Sequence, residues 1–223
     1  PNKLTEGERW HQAPCNVHYA NDCVYLVMEK RVTNDIKTWI PGELAPVLMR
    51  AKVDEDLTLR DNWTFASELS FRDTVPNLET SPDIDFHGVP FFECPYPSGS
   101  NPGKHRNAAP IGWLETNVVQ IVDPNHYWCD PTGRTLHLWA RANTNGTGYA
   151  CVAKVVERGD EPGTGPMETM LEKVPSGKTI LFVPCPGGQM KFHVLYDETS
   201  QLYWLLSTQA TDSMTRADRL PGN

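Results

Sequence analysis

The chain lacks most of the signatures that assign a chemistry at sight. No apolar run approaches the roughly 20 residues of a membrane span, so no membrane-crossing segment is expected. The six cysteines, Cys15, Cys23, Cys94, Cys129, Cys151 and Cys185, form no CxxC pair and have no histidine cluster at zinc spacing. Several lie in apolar runs and read as buried free thiols, with disulfides as the alternative. No phosphate loop, dinucleotide fingerprint or nucleophile elbow occurs, so no cofactor is implied. Asp54, Glu55 and Asp56 lack the spacing of a calcium loop. Positive charge is in deficit: 20 Lys and Arg stand against 28 Asp and Glu, and the net charge of −8 argues against a nucleic-acid partner held by phosphate neutralisation. Long helical periodicity is missing as well.

What the chain does have is short β-branched and aromatic runs, punctuated throughout by 16 Gly and 19 Pro, which points to an all-β fold. Residues 15–19 and 23–30 are two runs joined at Ala20, Asn21 and Asp22, a tight-turn sequence. Runs at 47–53 and 63–69 complete a first four-stranded unit. The plan recurs at 117–122, 135–141, 149–157 and 178–183, and a third unit starts with 191–196 and 202–208. Repeated four-stranded units predict a β-propeller, with a sandwich as the competing architecture. Each unit is expected to open with an apolar strand facing a common axis and to end in a more polar outer pair. The boundaries are a blade at 10–70, a long loop at 72–111, a blade at 112–185 and a partial blade at 187–223. Two and a half blades do not close a ring of at least about four. The propeller is therefore expected to be incomplete, and the 223 residues alone to be inactive and poorly soluble.

The chemistry concentrates at one end of this plan. In an antiparallel pair, the start of one strand lies beside the end of the other. Glu115, early in the first strand of the second unit, should therefore meet Arg141 at the end of the second strand. The same argument brings His11 and Gln12, the strand-end group Glu29, Lys30 and Arg31, and Gln189, Lys191, Thr208 and Gln209 to that rim. The opposite rim receives turn residues such as Asn21, Asp22, Asp197 and Glu198. Residues two apart on a strand share a face, so Trp113, Glu115 and Asn117 should point together: an aromatic for a sugar ring and a polar pair for its hydroxyls. The guanidinium fork of Arg141 matches a carboxylate. A purely structural ion pair between Glu115 and Arg141 is the plainer alternative. His87, Asp83 and Asp85 join the site only if the 72–111 loop folds over it.

Glu115 with the residues after it, the turn at Thr132 and Gly133, and the strand closing on Arg141 resemble a unit of the sialidase superfamily of BNR-type propellers. Residues 48–51 followed by 62–64 look like a degenerate Asp-box, and 186–188 followed by 191–197 resemble a segment common in sialidase-like chains. The blade layout carries the resemblance across the whole chain; no intact Asp-box is present. The resemblance implies a glycoside hydrolase acting on a terminal acidic or decorated sugar. Glu115 would activate a tyrosine nucleophile and Arg141 would be one of three arginines gripping the substrate carboxylate. The tyrosine and the third arginine would follow residue 223, and Arg31 and Asp35 stand nearest to the first arginine and the acid/base. The expected catalytic set is Glu115, Arg141 and Glu29, and the expected binding set is Trp113, Asn117, Arg31, His11, Lys191 and His87. The partner is then an acidic glycan. A non-catalytic glycan-binding propeller and a polysaccharide lyase are the alternative functions. No signal peptide is legible; a secreted or periplasmic setting is what glycan chemistry favours.

Overall fold

The computed structural model describes residues 4–5, 7–11, 15–35, 40–74, 84–85, 112–142, 148–185, 187 and 190–208. Its strands are β1 (Trp10–His11), β2 (Val17–Ala20), β3 (Cys23–Arg31), β4 (Leu44–Lys52), β5 (Thr64–Phe65), β6 (Ile84–Asp85), β7 (Trp113–Val119), β8 (Thr135–Ala142), β9 (Tyr149–Glu157), β10 (Met167–Met170), β11 (Glu172–Lys173), β12 (Thr179–Ile180), β13 (Phe182–Pro184), β14 (His193–Asp197) and β15 (Leu202–Leu206). A single helical turn, α1 (Phe71–Thr74), follows the first sheet. The architecture is all-β, built from curled antiparallel sheets.

The turns explain the registers. Asn21 and Asp22 both take φ of 54°, a left-handed conformation that Asn and Asp tolerate, and the resulting two-residue turn pairs Ala20 with Cys23. The first sheet then runs β3–β4–β5 in chain order, with β1 and β2 lying one after the other along the free edge of β3. The second sheet repeats the meander as β7–β8–β9–β10. The pair β14–β15 forms a third, two-stranded sheet. Its turn is braced by Asp197, whose carboxylate accepts the N–H groups of Thr199 and Ser200.

Two expectations change here. The fourth position of the second unit is shared. β10 covers the end of β9 and β13 covers its beginning, so of the expected 178–183 strand only the part in β13 pairs there. Residues 179–180 instead join β11 and β6 in a small separate sheet. The first strand of the first unit is not apolar either. β2 alternates exposed and half-buried residues, while β4 in the middle is buried almost throughout and β3 beside it is buried along its core-facing row. A central strand is covered on both faces and an outer one is not.

The core lies between the two large sheets. On β3, Cys23, Tyr25 and Val27 share one face and pack with Leu48 of β4 and with Leu136, Leu138 and Val155 of the second sheet. Each such side chain contributes roughly 1.5–3 kcal/mol through removal of apolar surface from water. Polar bonds lace the first strands of the three units together. Asn16 donates to the carbonyls of Val118 and Val194 and accepts from the Val118 N–H at 2.7 Å. Asn117 donates to Trp139 O and Phe192 O and accepts from the Val194 N–H at 3.1 Å. Cys15, Cys23, Cys129, Cys151 and Cys185 are free thiols. Among the described residues no helix is long and apolar enough to cross a membrane.

Candidate functional site

The site grows out of an irregularity in β7. Register with β8 holds at Trp113↔Ala142 and Leu114↔Arg141, then resumes at Asn117↔Trp139, leaving Glu115 and Thr116 as a bulge. Glu115 sits there at φ of 56°, in the left-handed region that residues other than Gly, Asn and Asp rarely enter. The bulge has two effects. It reverses the alternation of the strand: Trp113 packs on the side of Ala140 and Ala142, whereas Asn117 faces the β14–β15 hairpin. It also withdraws the Thr116 N–H from the β7–β8 ladder, and that N–H donates instead to Oε1 of Glu29 at 3.2 Å.

Glu29 reaches this position because it continues the core-facing row of β3 two residues beyond Val27. It is fully buried, and Thr116 Oγ1 lies 3.4 Å from the same Oε1. Its other oxygen lies 3.5 Å from Nδ1 of His11, the residue directly opposite it on β1. Neither of those two atoms has an aligned hydrogen-bond partner among the described residues. The Glu29 carboxylate, helped by Glu115, raises the His11 imidazole above its ordinary value despite partial burial. The His11 side chain is 42% exposed, so it connects a buried carboxylate with solvent.

Beside this pair, Arg141 Nη1 donates to Oε2 of Glu115 at 3.4 Å, with both side chains about one-fifth exposed at 21% and 18%. Cys15 closes the inner side. Its thiol donates to Glu115 O at 2.9 Å, its N–H to Thr116 O, and its carbonyl meets His193 Nδ1 at 3.1 Å. Burial pushes the Cys15 thiol up to about 11, Lys191 opposes, and Glu115 and Glu29 add to the rise. The thiol is therefore a packed donor and not a thiolate nucleophile.

His11, Glu29, Glu115 and Arg141 thus meet from β1, β3, β7 and β8, with the exposed Lys191 close enough to act on Cys15. Other expected residues stand elsewhere. Trp113 is buried, its indole N–H donating to Leu44 O at 2.8 Å and its ring set edge-on to Phe71, so it offers no face to a ligand. Asn117 is buried, with its amide used between strands. The expected common face of Trp113, Glu115 and Asn117 does not form, because the bulge intervenes. Arg31 turns to the buried Glu43 at 2.6 Å. His87, Gln12, Asp83, Gln189, Gln209 and Cys94 lie outside the described residues. Sequence reading missed Thr116, Cys15 and His193: their contributions come through backbone groups or across 100 to 178 residues of chain, which no local pattern records. Among the described residues no group of three or more metal-ligating side chains could hold an ion. No family model, curated protein or solved structure matches the chain.

Proposed function

We propose that this rim binds the carboxylate of an acidic sugar, and that the chain contributes the glutamate and an arginine of a sialidase-like glycoside hydrolase. The observation that carries the reading is Glu115 itself. A glutamate kept at positive φ costs roughly 1–2 kcal/mol, and such strain concentrates where side-chain placement matters more than stability. Here the strained residue stands beside an arginine at a partly open rim, with the His11–Glu29 pair next to it. Arg141 grips the substrate carboxylate, Glu115 serves as the base or as partner of a tyrosine nucleophile, and His11 handles a proton with Glu29 behind it.

We also infer that the two four-stranded meanders and the hairpin are blades of a propeller. The meeting of their first strands through Asn16 and Asn117 supports this, since inner strands of blades converge on one axis. The burial of Trp113 removes the aromatic platform that a purely glycan-binding rim would use, which favours the catalytic reading.

The test compares N-acetylneuraminic acid with its methyl ester. The free acid binds, the ester binds at least about tenfold more weakly, and Arg141→Ala erases the difference. Fluorogenic sialosides and uronosides then report turnover, which Glu115→Gln removes. Equal affinity for acid and ester, or full turnover by Glu115→Gln, would refute the proposal.

A further inference from the structure

The second sheet carries a cleft that the rim chemistry does not use. It opens at the end of β8 opposite Arg141, between the β7–β8 loop and β11, and has a volume of about 510 Å³. Small-ligand sites span roughly 300–1,000 Å³.

Its floor is a braced charge network. Oε2 of the nearly buried Glu172 lies 2.9 Å from Nε2 of His137, and Oε1 accepts from Lys154 Nζ at 2.7 Å and from the Lys173 N–H at 2.8 Å. Burial raises the Glu172 carboxyl, but the bonds from His137 and Lys154 outweigh it and bring it down to about 2. The floor is therefore ionised at any ordinary pH. Trp128 stacks on His137 at 5.3 Å and 19°, and its indole N–H donates to Lys173 O at 2.8 Å, tying the two walls together.

The wall above is aromatic. Tyr127 is 57% exposed, yet its ring is fixed by stacking on His126 at 5.0 Å and 13°. Burial and the Glu172 charge raise its phenol, which stays protonated and able to donate. The charges of the cleft cancel: Lys154 and Lys173 against Glu172 and Asp130. Only one of the three N–H donors of Lys154 is used by Glu172. An anion such as phosphate would meet no net positive field. Asp130 is already bonded at both oxygens by Thr132 and Thr135, which leaves the Tyr127 ring and the Lys154 ammonium for a neutral molecule with one apolar face and a hydroxyl edge.

We propose that this cleft is a binding site for a neutral pyranose sugar, with Tyr127 as its stacking platform. It is independent of the rim and of the reading given to the rim.

The experiment titrates the 223-residue chain with methyl glycosides of glucose, galactose, mannose and N-acetylglucosamine, and separately with glucuronate and inorganic phosphate. The Trp128 indole N–H resonance is followed by NMR. At least one neutral glycoside produces a saturable shift with Kd of about 1–10 mM, a weak single-sugar affinity. Tyr127→Ala weakens it at least about tenfold, whereas Tyr127→Phe stays within about threefold. Tyr127 is largely exposed, so both variants fold. No saturable shift up to about 100 mM, saturation by phosphate or glucuronate alone, or unchanged affinity in Tyr127→Ala would each overturn the proposal.

Discussion

Glu115 is where local preference and tertiary demand conflict most sharply. Its φ of 56° is a conformation in which glycine carries no Cβ penalty. Glu115→Gly is therefore expected to raise stability by about 1 kcal/mol while removing turnover of fluorogenic sialosides and keeping the preference for a sugar acid over its ester; urea denaturation, turnover assays and calorimetric binding check these. A loss of stability in that variant would mean that the Arg141 contact, and not function, keeps the glutamate. Glu172 makes a second prediction at this scale. Its carboxyl lies at about 2, below the ordinary 4.5, because His137 and Lys154 hold the ionised form against burial. A depressed carboxylate contributes stability that is complete above about pH 4.5 and lost as pH falls toward 2. Acid unfolding of Glu172→Gln should lose that part of its pH dependence, read from denaturation midpoints between pH 5 and 2.

Among the elements, β9 was legible to the residue: its apolar, β-branched run at 149–157 is covered on both faces, and composition alone marks such a strand. The β2–β3 hairpin was legible through Asn21 and Asp22. The bulge in β7 was not, because nothing in the residues around Glu115 announces a left-handed glutamate; it exists because Thr116 must turn toward Glu29. Gly112 sets up that strand. It has φ of 146°, and a Cβ there would stand 2.3 Å from the carbonyl carbon of Pro41. Backbone cannot yield as a side chain can, so Gly112→Ala is expected to cost at least about 2 kcal/mol by thermal or urea unfolding and to shift the Glu115 and Arg141 resonances. The split edge of β9 escaped the sequence for a related reason. β10 and β13 are short, and their pairing is set by what β9 leaves open.

Across the whole molecule, the ends of the two large sheets are joined differently. At the end away from the rim, Glu157 accepts from Arg50 at 2.6 Å, Tyr25 at 3.0 Å and the Gly163 N–H at 2.5 Å, and Arg50 also donates to Gly165 O. This buried charge has each oxygen satisfied. Glu157→Gln leaves Arg50 uncompensated and is expected to destabilise the chain by about 3 kcal/mol in urea, whereas Tyr25→Phe costs only about 1. At the rim, Glu29 is buried with His11 3.5 Å from its second oxygen and Glu115 is partly exposed, so neither carboxylate is bonded as completely as Glu157. Turn residues and hairpin pairing act over short stretches of chain, so the all-β character, most strand positions and the meeting of Glu115 with Arg141 could be read from the residues alone. Strand-end pairing also placed His11 and Glu29 at that rim, but it took the packing of the sheets to bury Trp113 and Asn117. Those outcomes depend on which sheet face packs on which neighbour, and a single bulge reverses that choice.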